Sequence, residues 1–144
     1  MGKAKGEAMS RSNPEHAAQV AVMKWAALAC GSMPELRLLF AIPNGGARNV
    51  ITGARLKAEG VRAGVPDLFL PVARHDCHGL FIEMKSSKGV TTRLQDAWLY
   101  ALDAEGYRVE VCRSAQAAID TITEYLKGGL RECHSGKVGS GEGG

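Results

Sequence analysis

The chain has 144 residues, 45% of them hydrophobic, which suits a single globular domain. The formal net charge is +3, but residues 15–126 hold twelve basic and twelve acidic residues, which excludes a generally basic nucleic-acid binder. The sequence shows neither a run of about 20 apolar residues nor an apolar run behind the first lysines. We therefore expect a cytoplasmic protein rather than a membrane-spanning or secreted one.

The two ends of the chain offer little to bury. Residues 1–12 consist mainly of Gly, Lys, Ala, Ser and Arg, and residues 128–144 are rich in Gly and Ser. Such compositions are typical of disordered segments. We expect a disordered N-terminal segment, one folded domain over residues 13–127 and a disordered tail.

The first predicted helix begins at Asn13 and Pro14, because Asn is a favourable N-cap and Pro suits the first helical position. Its apolar residues run nearly all round, which predicts a well-buried helix that Gly31 ends. Residues 36–42 predict a short strand, residues 43–46 a loop, and residues 50–59 a second helix.

Residues 67–72 and 80–85 alternate as two strands around a polar turn. Thr92 and Gln95 have the spacing of a capping box and begin a third helix, whose apolar stripe is Ala97, Trp98, Ala101 and Leu102. Residues 107–112 predict another strand. Ser114 caps a last helix whose inward residues are Ala118, Ile119, Ile122 and Leu126. The order α-β-α-β-β-α-β-α predicts an α/β fold, a mixed sheet with helices on both faces.

The two middle strands carry a chemical pattern, Pro66-Asp67 followed by Glu83-Met84-Lys85. If the hairpin is symmetric about His75, Asp67 opposes Glu83 directly. Opposed residues share a face with Cβ atoms about 5 Å apart, and Lys85 points to the same face. This register is an assumption, and a slip of one residue would separate the two carboxylates.

Two carboxylates on one face are suited to a hard divalent cation, which neutralises a phosphodiester and acidifies a water molecule. A lysine beside the cation can orient that water or stabilise the phosphate. The alternative is a surface hairpin with an ordinary Glu-Lys pair. The apolar residues on both strands favour the metal site, because they place the charges at the mouth of a core sheet.

These residues resemble the PD-(D/E)xK nuclease pattern, and their surroundings resemble its VRR-NUC branch, the virus-type replication-repair nuclease domain. The resemblance covers about residues 14–126 and includes the segments at residues 43–46, 64–67 and 79–85. It implies a restriction-endonuclease-like fold in which Asp67, Glu83 and the Met84 carbonyl bind Mg²⁺ or Mn²⁺. Lys85 would be the catalytic lysine.

The resemblance also implies that Glu15 reaches the site from the first helix and helps to hold a metal or its water, and that Gln95 approaches from the third helix. Each residue has a structural alternative. An acidic residue such as Glu15 favours the first turn of a helix in any case. Gln95 is equally explained as the capping-box partner of Thr92.

DNA contacts are a further expectation, with basic and polar residues flanking the site: Asn44, Arg48, Arg55, Lys57, Arg62, Lys88 and Arg93. Phosphate contact is one interpretation of the cations and a solvated face is the other. Asn44 fits an ordinary turn as well as substrate contact. The resemblance implies a bacterial or phage-type homodimer that cuts branched DNA such as four-way junctions.

Two rival functions stay open. A nucleic-acid-binding module could keep the nuclease fold without catalysis, and an interaction protein could carry the hairpin charges as mere surface. Zinc binding by His75, Cys77 and His78, or by Cys133 and His134, is a further possibility, but the spacing matches no standard zinc motif. A polar turn and a loose tail explain these residues more simply.

Overall fold

The computed structural model describes residues 13–43 and 50–128. In chain order the elements are α1 (Pro14–Ala29), a 3-10 helix (Pro34–Leu38), β1 (Phe40–Ala41), α2 (Val50–Ala58), β2 (Leu68–Leu70), β3 (Leu80–Met84), α3 (Arg93–Ala104), β4 (Arg108–Cys112) and α4 (Ala115–Lys127). This order confirms the predicted one, with a 3-10 helix added. No helix in these residues has the length and apolar character to cross a membrane.

The four strands form one mixed sheet in the order β1-β2-β3-β4. The β1–β2 and β2–β3 pairs are antiparallel, whereas β3 and β4 are parallel. Parallel neighbours need a crossover connection, and α3 supplies it. The sheet flanked by helices confirms the predicted α/β class.

One face of the sheet forms the hydrophobic core with α1 and α4. The strand residues that bury there are Leu68, Leu70, Leu80, Ile82 and Met84. The opposite face is aromatic, and Phe69 stacks on Phe81 with ring centroids 4.2 Å apart. Tyr107 packs edge-on against both rings. Because alternate residues of a strand point to opposite faces, the odd-numbered residues of β3 share the aromatic face.

The first helix starts as expected, since the Asn13 side chain accepts bonds from the amides of Glu15 and His16. The expectation that it is buried nearly all round is wrong. Only Val22 and Ala26 are fully buried, and Leu28 is 87% exposed. The helix lies on one side of the sheet, so its outer surface remains in water.

The strand expected over residues 36–42 is only partly correct. Residues Pro34–Leu38 form a 3-10 helix, and only Phe40 and Ala41 join the sheet. Pro34 favours a helical start, and Leu36 and Leu39 are buried three residues apart. That spacing fits a helix of three residues per turn better than the alternation of a strand.

The apolar stripe predicted for the third helix is also wrong in part. Ala97 and Ala101 are exposed, Trp98 and Leu102 are half-buried, and none of the residues in α3 is fully buried. The helix packs mainly along β4, the edge strand, so it covers less of the sheet than the sequence pattern suggests.

The last helix begins at its Ser114 cap, as predicted, and it buries Ala118 and Ile122. Ile119 and Leu126 are only half-buried. The sequence pattern missed Tyr125, which is 1% exposed and donates its hydroxyl hydrogen bond to the carbonyl of Val72. A hydroxyl that finds a backbone partner allows the ring to lie in the core.

Candidate active site

The hairpin of β2 and β3 places the predicted carboxylates across from each other. The ladder pairs Leu68 with Ile82 and Phe69 with Phe81, which confirms the assumed register. Continuing it by one residue brings Asp67 opposite Glu83. The Met84 amide donates a 2.7 Å hydrogen bond to Asp67 Oδ2, so the two strands are tied together at this point.

Glu83 is almost completely buried, with 2% of its surface exposed. Its Oε1 accepts a 3.0 Å hydrogen bond from Gln95 Nε2 and lies 3.6 Å from Lys85 Nζ. Its Oε2 is buried and has no hydrogen-bond partner in the described part of the chain. A buried acceptor without a partner costs free energy, so this oxygen marks a position where a further group would bind.

The surroundings raise the pKa of Glu83 to about 7. Burial is the largest cause, and the negative charge of Asp67 adds to it, with a smaller contribution from Glu15. Lys85 opposes the shift through its charge and its hydrogen bond. A carboxyl group in this state favours either a proton or a cation close to it.

Lys85 follows Glu83 on the same face, and only 8% of its surface is exposed. Its backbone amide donates to the carbonyl of Cys112 at 2.9 Å, so the end of β3 stays anchored to β4 beyond the last residue of the strand. The ammonium group is thus held next to the carboxylates by the sheet itself. A lysine in this place can stabilise negative charge on a bound group.

Gln95 has both of the roles that the sequence left open. Its Oε1 accepts from the Thr92 amide and its backbone amide donates to the Thr92 hydroxyl, which completes the capping box. Its Nε2 then donates to Glu83. The start of α3 and the carboxylate are therefore linked through one amide side chain.

Glu15 lies at the edge of the site. Its Oε1 accepts a 3.2 Å hydrogen bond from the amide of Ser86, immediately after Lys85. The Arg113 guanidinium donates to the carbonyls of Ser86 and Gly89 on the same loop. Arg113 is not among the residues predicted from the sequence, and no local pattern marks it, because these contacts join residues far apart in the chain.

Close packing between α3 and the segment before Asp67 holds Gln95 in place. A Cβ atom built on Gly64 would lie 2.7 Å from Leu94 Cγ and 3.0 Å from the Leu94 carbonyl carbon. Gly64 also has a φ of +88°, which side-chain-bearing residues rarely adopt. Glycine at this position lets α3 approach the site.

The predicted DNA-contacting residues differ in their surroundings and in whether their charge is paired. Arg55 forms an ion pair with Glu59 at 3.0 Å, so its charge is partly satisfied. Lys57 and Arg62 line a cleft between α2 and α3. Lys88 is exposed within the segment that joins β3 to α3, and Arg93 is exposed at the first residue of α3. Asn44 and Arg48 lie outside the described residues.

The zinc alternative gains no support from the described residues. Cys77 is disulfide-bonded and 2% exposed. The rings of His75 and His78 pack against different tyrosines, Tyr125 and Tyr107. Within residues 13–43 and 50–128, no three His, Cys, Asp or Glu side chains are close enough together to hold a metal ion. A cation at the hairpin site would therefore rely on two carboxylates and a backbone carbonyl.

The family described as the VRR-NUC domain matches residues 4–116. A solved structure described as a VRR_NUC domain protein superposes with a TM-score of 0.65 and 28% sequence identity, covering 82% of this chain and 92% of that one. No curated protein matches the chain.

Proposed function

The chain belongs to the VRR-NUC domain family, and from that premise we propose that it is a divalent-metal-dependent nuclease that hydrolyses DNA phosphodiester bonds. The observation that carries the proposal is the buried carboxylate of Glu83. One of its oxygens lacks a partner among the described residues, while Asp67 and Lys85 lie beside it. A surface Glu-Lys pair would be exposed to water and would have neither the burial nor the buried oxygen without a partner.

The donors at the site fit Mg²⁺ or Mn²⁺. Carboxylate and carbonyl oxygens are the ligands that such hard cations prefer. Asp67, Glu83 and the Met84 carbonyl would hold the cation, and Glu15, at the edge of the site, would help to hold a water molecule beside it. When bound, the cation supplies charge neutralisation at the phosphate and acidifies a water molecule.

The remaining side chains would act on the substrate and on the carboxylates. Lys85 would stabilise the negative charge that develops on the phosphate during cleavage, or orient the attacking water. Gln95 would fix the orientation of Glu83 through its 3.0 Å hydrogen bond. The bonds from Glu15 and Arg113 to the loop after Lys85 would keep the end of β3 in position.

We further propose that the substrate is branched DNA, such as a four-way junction, and that the active form is a homodimer. Two coordinated cuts are needed to resolve a junction, and a two-fold dimer supplies two sites related by symmetry. The balanced charge of residues 15–126 suits recognition of DNA shape more than tight binding to any duplex. Lys57, Arg62, Lys88 and Arg93 would contact phosphates, and Asn44, Arg48 and Arg55 are further candidates for DNA contact.

Cleavage of a labelled DNA panel tests the proposal. Single-stranded, duplex, flapped, splayed-arm and four-way-junction DNA would each be incubated with Mg²⁺, Mn²⁺ or EDTA. We expect metal-dependent cutting by the wild type and by the matched control Glu105→Gln, which changes an exposed carboxylate. Glu83→Gln should cut none of the DNAs. Equal cutting by Glu83→Gln and wild type would refute the proposed site.

Metal binding gives a readout that is independent of cleavage. Calorimetric titration with Mn²⁺ should show weaker binding for Asp67→Asn than for wild type. The midpoint temperature of thermal unfolding should rise with Mn²⁺ only when the site is intact. A folded protein that binds Mn²⁺ but cuts no DNA would support the alternative function, a nucleic-acid-binding module that keeps the nuclease fold.

A further inference from the structure

A cleft of about 570 Å³ lies between α2 and α3. One wall is formed by Gly53 and Lys57 of α2 and by the segment at residues 60–63. The other wall is formed by Leu94 and Trp98 of α3. The volume falls in the range of clefts that hold a nucleotide-sized ligand.

The segment along one wall is fixed by the end of α2. Gly60 has a φ of +100°, its amide bonds to the Lys57 carbonyl, and the Val61 amide bonds to the Leu56 carbonyl. These two bonds are the Schellman arrangement that ends a helix. Val61 and Arg62 therefore leave α2 in a defined direction along the cleft.

Both walls are continuous along the chain with residues of the carboxylate site. The segment that carries Arg62 continues through Gly64 to Asp67. On the other wall, Leu94 precedes Gln95, whose amide holds Glu83. The close approach of Gly64 to Leu94 joins the two walls at that end. A strand that crosses over this contact from the site would reach the cleft.

The cleft combines the two kinds of group that single-stranded DNA requires. Lys57 and Arg62 are exposed cations, and neither forms an ion pair with any of the described residues, whereas neighbouring Arg55 is paired with Glu59. Trp98 and Leu94 supply apolar surface opposite them. Aromatic side chains beside a basic groove are how proteins bind unpaired nucleotides without reading sequence.

We propose that this cleft binds an unpaired nucleotide of the DNA strand next to the cut, with the base on Trp98 and the phosphates near Lys57 and Arg62. This inference rests on the proposed nuclease function and narrows the proposed substrate: among branched DNAs, one with a single-stranded segment beside the branch is preferred to a fully paired four-way junction. DNA with splayed arms or a flap then binds more tightly than fully paired DNA of the same sequence.

Equilibrium binding in EDTA, where no cutting occurs, tests the proposal. A fluorescein-labelled splayed-arm DNA and a blunt duplex of the same paired sequence would be titrated with each protein and followed by anisotropy. We expect Trp98→Leu, which keeps apolar volume but removes the ring, to weaken splayed-arm binding by about 5-fold to 100-fold. Binding to the blunt duplex should change by less than about twofold.

Matched variants separate stacking from general effects. Tyr100→Leu removes a 79% exposed aromatic ring from the same helix but outside the cleft lining, and it should bind both DNAs like wild type. Trp98→Phe should retain most of the preference for splayed arms. Lys57→Ala should weaken splayed-arm binding more than Lys24→Ala, a change on the exposed surface of α1.

A second readout needs no variant at position 98. The fluorescent base 2-aminopurine, placed at the first unpaired position of the arm, should be quenched when wild-type protein binds, and not when it is placed within the paired region. The cleft proposal would be wrong if no quenching occurs, or if Trp98→Leu weakens the binding of both DNAs equally. Neither result would affect cleavage in Mg²⁺. Failure of the nuclease function would instead abolish cutting and leave these binding differences in place.

Discussion

The two oxygens of the Glu83 carboxylate have very different surroundings. Oε1 accepts from Gln95 and faces Lys85, whereas Oε2 is buried without a partner among the described residues. The sequence indicated which residues share a face, because strand alternation fixes that. It could not indicate how the hydrogen bonds divide between two oxygens of one group.

The raised pKa of Glu83 makes the stability of the metal-free protein depend on pH. The pKa of this carboxyl group is about 7 in the folded protein and 4.5 ordinarily. The group therefore stabilises the fold fully below pH 4.5, and this stabilisation is lost as the pH rises through about 7. In EDTA, the free energy of unfolding of wild type should fall by about 2 kcal/mol between pH 5 and pH 8, relative to that of Glu83→Gln. Urea unfolding at both pH values measures this.

The control for the pH effect is Glu105→Gln, since Glu105 is an exposed carboxylate at the end of α3. The difference in free energy of unfolding between this variant and wild type should be the same at both pH values. If the Glu83→Gln curve also runs parallel to that of wild type, the burial of Glu83 has no effect on its proton affinity, and the electrostatic account of the site is wrong.

Lys85 should be required for chemistry and not for metal binding. Lys85→Met keeps the aliphatic stem of this 8% exposed side chain but removes its charge. We expect cleavage to fall about 10²-fold to 10⁴-fold, the range for losing one group that transfers a proton or stabilises charge at the reacting atoms. Mn²⁺ affinity should change little. Initial cleavage rates and calorimetry on the same preparations, beside Lys127→Met as an exposed control, decide the matter.

Helix and strand boundaries were predictable where capping residues or strand alternation mark them. Asn13, Thr92 and Ser114 each cap the helix expected of them, and the β2–β3 register has the assumed pairs. Burial was less predictable. A helical stripe does not indicate whether a helix lies over the middle of a sheet or along its edge, which is why α3 is more exposed than its pattern suggested.

The approach of α3 to the site should depend on the absence of a side chain at residue 64. Gly64→Ala places a methyl group against Leu94 and forces alanine into a φ of +88°. We expect a loss of roughly 1–3 kcal/mol in the free energy of unfolding, from overpacking and backbone strain together. Cleavage should also fall, because Gln95 follows Leu94 directly.

The matched control for this change is Gly31→Ala, because a Cβ atom built on Gly31 meets nothing within 4 Å. Urea unfolding of both variants compares the two positions. Equal stability of Gly64→Ala and Gly31→Ala would show that α3 can shift without cost and that it does not position Gln95.

At the scale of the whole molecule, the core joins residues that are far apart in the chain. Val22 and Ala26 of α1 lie in one buried cluster with Ile122 and Tyr125 of α4 and with the middle strands. The sequence predicted the elements of this core but could not predict that α1 and α4 share a face, since that depends on contacts between the two ends of the domain.

The expected domain boundaries stay a prediction, which truncation tests. A shortened chain of residues 13–128 contains every residue of the cluster that the structure describes, and it should unfold cooperatively with a midpoint within a few degrees of the full chain. Because Cys77 is disulfide-bonded, both proteins are compared in reducing buffer. Removing α1 as well, to leave residues 31–128, deletes Val22 and Ala26, which are 0% and 3% exposed, and should abolish the transition. Circular dichroism during heating follows all three proteins. An unfolded 13–128 chain would mean that the domain extends beyond these residues.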